Sequence, residues 1–461
     1  MVYATTNPYT GQVVQTFPDA ADIEVDAALT AADNAFASWK NSSFATRADA
    51  MRNAAALMRE RKDEYAKLLT LEMGKLYAEA KLEVDLCADM FDYYAQHAEE
   101  HLATRPIPSI DPGRYELQYV PQGIVFAVEP WNFPFYQVVR IAAPQLSAGN
   151  VVILKHASNV PQSAAMFDTL FADAGLPDGC FKNLYATRPQ IARLIADPRV
   201  RGVALTGSEA AGIAVARQAA EACKKSTMEL GGADAFVVLA DADIDRTTTW
   251  ATMGRHWNGG QVCVSSKRQI VVDSGYDEYR AQYIAKVAAL VAGDPMAAGT
   301  QLAPLSSEGA RADLQDQLDK AIANGAVATV IGAEVPNQGS FFRPVLLENV
   351  TPDNPAYYQE FFGPVTLLFR AKDEDDAVRI ANDSSYGLGG SVFGTDTAHA
   401  KKVAERIDTG MVFVNHPTIV KADVPFGGVK HSGYGRELTH LGIVEFVNAK
   451  VVGVLDIDAP F

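Results

Sequence analysis

The stretch Gly123–Gly175, GIVFAVEPWNFPFYQVVRIAAPQLSAGNVVILKHASNVPQSAAMFDTLFADAG, decides the fold class. Gly123–Val128 and Asn150–Leu154 are short β-branched runs of strand length, and the segment between them reads as a helix. Pro161 stands in the first turn of a second helix, which Gly175 closes. Strands alternating with helices at this spacing imply βαβ units and a mostly parallel sheet. The pattern continues outward through Gly202–Leu205 (GVAL) and Ala235–Leu239 (AFVVL). A second alternating series follows Gly259, with strands near Gln269–Val272, Val365–Phe369, Gly390–Phe393 and Met411–Asn415. The coarse architecture is two α/β units joined near residue 230. Before them, Asp22–Trp39, Ala45–Leu71 and Leu76–Leu102 read as helices rich in alanine and leucine, until proline and glycine break the pattern at Arg105–Arg114. The acidic run Asp373–Asp376 reads as a first helical turn favoured by the macrodipole.

The bulk properties narrow the function classes. The chain of 461 residues has room for two or three domains and a large core. Its 40 Lys and Arg against 56 Asp and Glu leave a net charge of −16, whose field repels nucleic acid and anionic membranes. A small anion can still bind, through local cations or backbone amides. No stretch approaches the roughly 20 apolar residues of a membrane span. The opening MVYATTNPYTGQVV lacks a basic stretch followed by an apolar run, so no secretory signal is expected. Cys87, Cys180, Cys223 and Cys263 are scattered, which indicates neither a disulfide scaffold nor a metal site. A reducing, cytoplasmic setting is the expectation.

Four segments carry candidate chemistry. Cys263 lies in WNGGQVCVSSKR (257–268), where paired glycines let the backbone approach a ligand and Lys267 and Arg268 can favour a thiolate. A lone cysteine is more often a small buried hydrophobe. In Met228–Gly232 (MELGG), Glu229 suits a general base if burial or a neighbouring charge raises its pKa; alone it also reads as a surface carboxylate. In Pro130–Pro134 (PWNFP), Asn132 on a turn after a strand can aim its amide at an oxyanion or simply make an Asx-turn. Arg140 follows eight residues later, in the expected helix. Leu205–Gly212 (LTGSEAAG) opens a helix after a strand, and Gly207 and Ser208 there suit a phosphate, although the spacing matches neither a GxGxxG fingerprint nor a Walker A loop.

Taken together and in order, these segments resemble the aldehyde dehydrogenase superfamily over nearly the whole chain. PWNFP, the strand ending at Lys155, LTGS, ELGG, GGQVC, EFFGPV (Glu360–Val365) and PFGGVKHSGYGRE (Pro425–Glu437) all correspond. Within it the chain looks most like bacterial succinate-semialdehyde dehydrogenases, through LKHASNVPQSA (Leu154–Ala164) and SGYGREL (Ser432–Leu438). The resemblance implies an α/β fold with a Rossmann-type cofactor domain (1–113 and 122–230, with 432–445). It also implies an α/β catalytic domain (231–431) and a small β oligomerisation arm (114–121 and 446–461) in a homo-oligomer, dimer or tetramer.

The implied chemistry is oxidation of an aldehyde by NAD(P), without a metal. Cys263 would be the nucleophile that forms a thiohemiacetal, Asn132 with the Cys263 N–H the oxyanion site, and Glu229 the base that activates water against the thioester. Trp131, Lys155, Ser158, Gly207, Ser208, Glu360 and Phe362 would hold the cofactor. Ser158 stands where NAD-preferring relatives often carry a glutamate, which favours NADP, with NAD also usable. Arg140 would clamp a carboxylate of the substrate, expected to be succinate semialdehyde. Trp257, where some relatives have a second arginine, and Val420, where a serine often assists, depart from the pattern. Lys421 or His416 would then supply the lost donors, or the pocket would accept another semialdehyde or a neutral aldehyde. Glu229 argues against a CoA-acylating member, and the Cys263, Glu229 and Asn132 set argues against a silent one.

Overall fold

The computed structural model describes residues 2–110 and 113–459, so Asp111 and Pro112, inside the proline-rich break, lie outside it. Two sheets organise the chain. The first has six strands in the order Gly433–Tyr434, Lys225–Glu229, Val200–Thr206, Ile124–Glu129, Val151–His156 and Phe181–Asn183. All neighbours are parallel except Gly433–Tyr434, which returns from the far end of the chain to pair antiparallel with Met228 and Glu229. The second has seven strands: Val327–Val330, Val345–Glu348, Val365–Ala371, Arg268–Val272, Ala235–Val238, Gly390–Phe393 and Phe413–Val414. Only Val327–Val330 runs antiparallel.

The central strands are buried on both faces, which is why they read as continuous apolar runs. The helix Pro134–Ala148 is buried all round, Arg140 included. Pro134 starts it, Glu83 accepts the free Phe135 and Tyr136 N–H groups, and Gly149 ends it in the left-handed region at φ +95°. Asp373 caps Glu374–Asn382, whose first turn carries three acids.

Three expected elements differ. The single helix Ala45–Leu71 is two, Phe44–Glu60 and Lys62–Met73, because Arg61 leaves the helical conformation while its side chain reaches Asp173. Met411–Asn415 shrinks to the two-residue edge strand Phe413–Val414. Arg105–Ile107, in the break, adds a strand to Arg114–Pro121, which pairs on its other side with Val447–Val454. That pairing lies within the chain, and Val447–Val454 is left as an edge strand with Val451 and Val454 exposed.

Candidate active site

In the six-stranded sheet the chain leaves Ile124–Glu129 in one direction toward Val151–His156 and in the other toward Val200–Thr206. Crevices at the carboxyl ends of such strands are where ligands bind in open α/β sheets. Here Pro130–Asn132, Gly207 and Ser208, and Leu230 and Gly231 leave three adjacent strands and line one cavity of about 580 Å³. Cys263, Glu360 and Phe362, from loops at the amino ends of the other sheet's central strands, complete it. Seven of the expected residues, Trp131, Asn132, Gly207, Ser208, Cys263, Glu360 and Phe362, thus converge.

The local backbone explains the motifs. Asn258, Gly259 and Gly260 take three consecutive positive φ values, turning the chain out of the helix Ile244–His256 toward Cys263. The ELGG glycines are needed for close approach. A Cβ on Gly232 would sit 2.5 Å from the Cys263 carbonyl oxygen, and one on Gly231 would collide with the Glu360 carboxylate.

Cys263 is half-buried. Burial pushes its thiol up to about 12, while Lys267 and then Arg140 pull the other way. The buried Asn132 donates one amide hydrogen to Gln261 O at 3.1 Å, and an amide NH2 has a second to offer. Asn258 fixes the same turn by donating to Asn132 O at 2.9 Å. Glu229 is 2% exposed and, among the described residues, neither of its carboxylate oxygens has a hydrogen-bond partner. Burial and then the Glu437 charge hold it well above the usual carboxylate range, opposed by Arg140. It does not line the cavity but lies directly behind Leu230 and Gly231.

On the cofactor side, Ser208 caps the helix Glu209–Glu221, accepting from Ala211 N at 3.4 Å and leaving first-turn amides for an anion. Lys155 ends the neighbouring strand and is buried, with no described carboxylate in ion-pairing reach. Burial and Arg188 lower it to about 8. Ser158 is half-buried on a loop anchored by Ala4 N donating to its carbonyl at 3.0 Å. Arg188, exposed at the start of the helix Arg188–Ala196, was not expected here. It belongs to no motif and reaches Lys155 only through the fold.

Two residues expected at the substrate lie apart from the cavity lining. Arg140 does not line the cavity. It is 1% exposed, ion-paired through Nε with Glu437, and donates to Tyr136 Oη and Thr206 Oγ1, each at 2.9 Å. A guanidinium held on three sides ties together the helix, the sheet and the Pro425–Glu437 segment. Trp257 faces a separate cavity of about 460 Å³ with Glu79, Thr252 and Lys286, because the left-handed run after it reverses the chain. Of the suggested substitutes, His416 packs tilted against Trp250, ring centroids 4.3 Å apart, and Lys421 is exposed beside Asp423.

Among the described residues, no group of three or more His, Cys, Asp or Glu could hold a metal, and no helix is long and apolar enough to cross a membrane. The aldehyde dehydrogenase family model matches residues 1–452. A Deinococcus radiodurans protein named succinate-semialdehyde dehydrogenase [NADP(+)] is 49% identical over 98% of this chain and 94% of its own. A Mycobacterium avium protein of the same name is 43% identical over 98% and 97%. The crystal structure of succinic semialdehyde dehydrogenase from Streptococcus pyogenes, in complex with NADP+, superposes with a TM-score of 0.96 at 43% identity, covering 98% of this chain and all of that one. With the converging cavity and full-length matches, the chain belongs to the aldehyde dehydrogenase family.

Proposed function

We propose that the protein oxidises succinate semialdehyde to succinate with NADP+, using Cys263 as nucleophile. The observation that carries this reading is the convergence of Cys263 and Asn132 on one cavity with Gly207, Ser208, Glu360 and Phe362. The two 43–49% identical relatives of that name support the substrate and cofactor. The Cys263 thiol gives up its proton to solvent, its sulfur bonds to the aldehyde carbon as the C=O π bond opens, and the oxyanion is met by the free Asn132 amide hydrogen and the Cys263 N–H. Hydride then leaves that carbon, giving a thioester. Glu229, once ionised, takes a proton from water as its oxygen attacks; the C–S bond breaks and the acid departs.

The residues present fit a dinucleotide phosphate. Lys155 is a buried cation without a carboxylate partner, Arg188 stands beside it, and Ser158 brings no repelling charge to the same loop. When bound, the nicotinamide would supply the hydride acceptor, and Glu360 and Phe362, which line the cavity, would hold its ribose and ring. In this reading the six-stranded unit binds cofactor and the seven-stranded unit carries Cys263. The edge strand Val447–Val454, with Val451 and Val454 exposed, joins subunits in a homo-oligomer. The four free cysteines suit a reducing, cytoplasmic setting.

The deciding measurement is kcat/KM over succinate semialdehyde, glutarate semialdehyde and neutral aldehydes of similar length, each with NADP+ and NAD+. Succinate semialdehyde with NADP+ should rank first. A neutral aldehyde ranking above it would overturn the substrate assignment.

A further inference from the structure

Lys267 is a buried cation that the proposed chemistry does not use. It is 1% exposed, and its ammonium meets three acceptors: Val262 O at 2.5 Å, Cys263 O at 2.7 Å and Glu360 Oε1 at 3.0 Å. An ammonium has three N–H donors, so this one is saturated. Two of the acceptors are the backbone carbonyls on either side of the nucleophile. The third is the carboxylate that borders the cofactor side of the cavity, where Gly232 N also donates to it at 3.1 Å.

We propose that Lys267 is a positioning residue for the nucleophile, one that aims the Cys263 N–H at the oxyanion site and favours the Cys263 thiolate, with Glu360 as the counter-charge that moderates it. The aiming follows from peptide geometry. Val262 C=O and Cys263 N–H belong to one planar trans unit and point in opposite directions. Gripping the carbonyl therefore turns the N–H away from Lys267. The charge effect follows from place: Lys267 is the cation acting most strongly on the thiol, and its only described carboxylate partner is Glu360.

This rests on the reading of Cys263 as nucleophile, and the test separates the two. Cofactor-free enzyme is treated with iodoacetamide across pH, and alkylation of the Cys263 and Cys223 peptides is followed by mass spectrometry. Cys223 is exposed and serves as an internal control. Lys267→Met should slow Cys263 alkylation about tenfold at pH 8 and move its rise to higher pH, while Cys223 is unchanged. Glu360→Gln should shift it the opposite way, to faster alkylation at lower pH, and Lys267→Arg should recover most of the wild-type rate. If Lys267→Met fails to fold, the shift of Glu360→Gln to faster alkylation at lower pH, read against wild type and Lys267→Arg, carries the test. A wild-type alkylation profile in Lys267→Met, or slower alkylation in Glu360→Gln, would overturn the proposal. Full turnover by Cys263→Ala would instead remove the nucleophile reading itself.

Discussion

Replacing Arg140 by methionine separates a tether from a substrate clamp. The guanidinium and Glu437 are 1% and 4% exposed, and removing one partner of such a pair leaves the other charged and unsolvated. That costs about 3–5 kcal/mol. Unfolding entropy of about 2.1 cal/mol/K per residue amounts to roughly 1 kcal/mol/K for a chain of this length. Arg140→Met should therefore lower Tm by about 3–5 °C, and Glu437→Gln by a similar amount. Because Tyr136 and Thr206 lose their donor as well, the loosened helix should reduce kcat/KM for carboxylated and neutral aldehydes by the same factor. The assays are a thermal melt and the aldehyde panel on both variants. Replacing both residues by methionine should restore most of the lost stability, since an apolar pair leaves no unpaired charge. An unchanged Tm, together with a KM increase confined to carboxylated aldehydes, would show that Arg140 meets the substrate and that the tether argument is wrong.

Other expectations follow from the same geometry. Glu229→Gln should keep a pre-steady-state burst of reduced cofactor while steady-state turnover falls about 10²–10⁴-fold, the range for loss of a general base. Equal loss of both phases, seen by stopped flow, would take deacylation away from Glu229. Ser158→Glu should lower the NADP+ to NAD+ ratio of kcat/KM by at least about tenfold, because a carboxylate then opposes the 2′-phosphate; an unchanged ratio would refute the assignment. Lys155, lowered to about 8, is charged below that pH and neutral above it. KM for NADP+ should therefore rise as pH passes 8, a rise that Lys155→Met should abolish.

How much of this was legible in the sequence depends on where each residue's partners lie. Strands such as Val151–His156 were found because both faces are buried, which leaves an uninterrupted apolar run. The edge strand Val327–Val330, exposed over most of its length, leaves no such trace. Cys263 and Asn132 could be placed because each sits on a local turn whose glycines or prolines mark it. The ion pair of Arg140 was not legible because its partner, Glu437, lies about 300 residues away on a segment that returns beside the first sheet. Arg188 was missed for the same reason: only the fold brings it to Lys155.

The charges around Glu229 couple its proton to those of two other buried carboxylates. Val128 pairs with Leu205 and Thr206 with Glu229, so Glu129, Thr206 and Glu229 end adjacent strands in one row. Residues in one row of a sheet share a face. Glu129 is 3% exposed and, like Glu229, held well above the usual carboxylate range by burial and then by Glu437. Three buried carboxylates thus share Arg140, with Arg436 acting on Glu229 as well, and Glu437 already pairs with Arg140. Ionising either of the other two adds a second negative charge beside that pair, which favours the protonated form of both. The thiol, pushed up to about 12, holds its proton as well. The cations that ease the loss of these protons are Lys267 at the sulfur and Arg140 behind Glu229, each tied to a carboxylate that limits its pull.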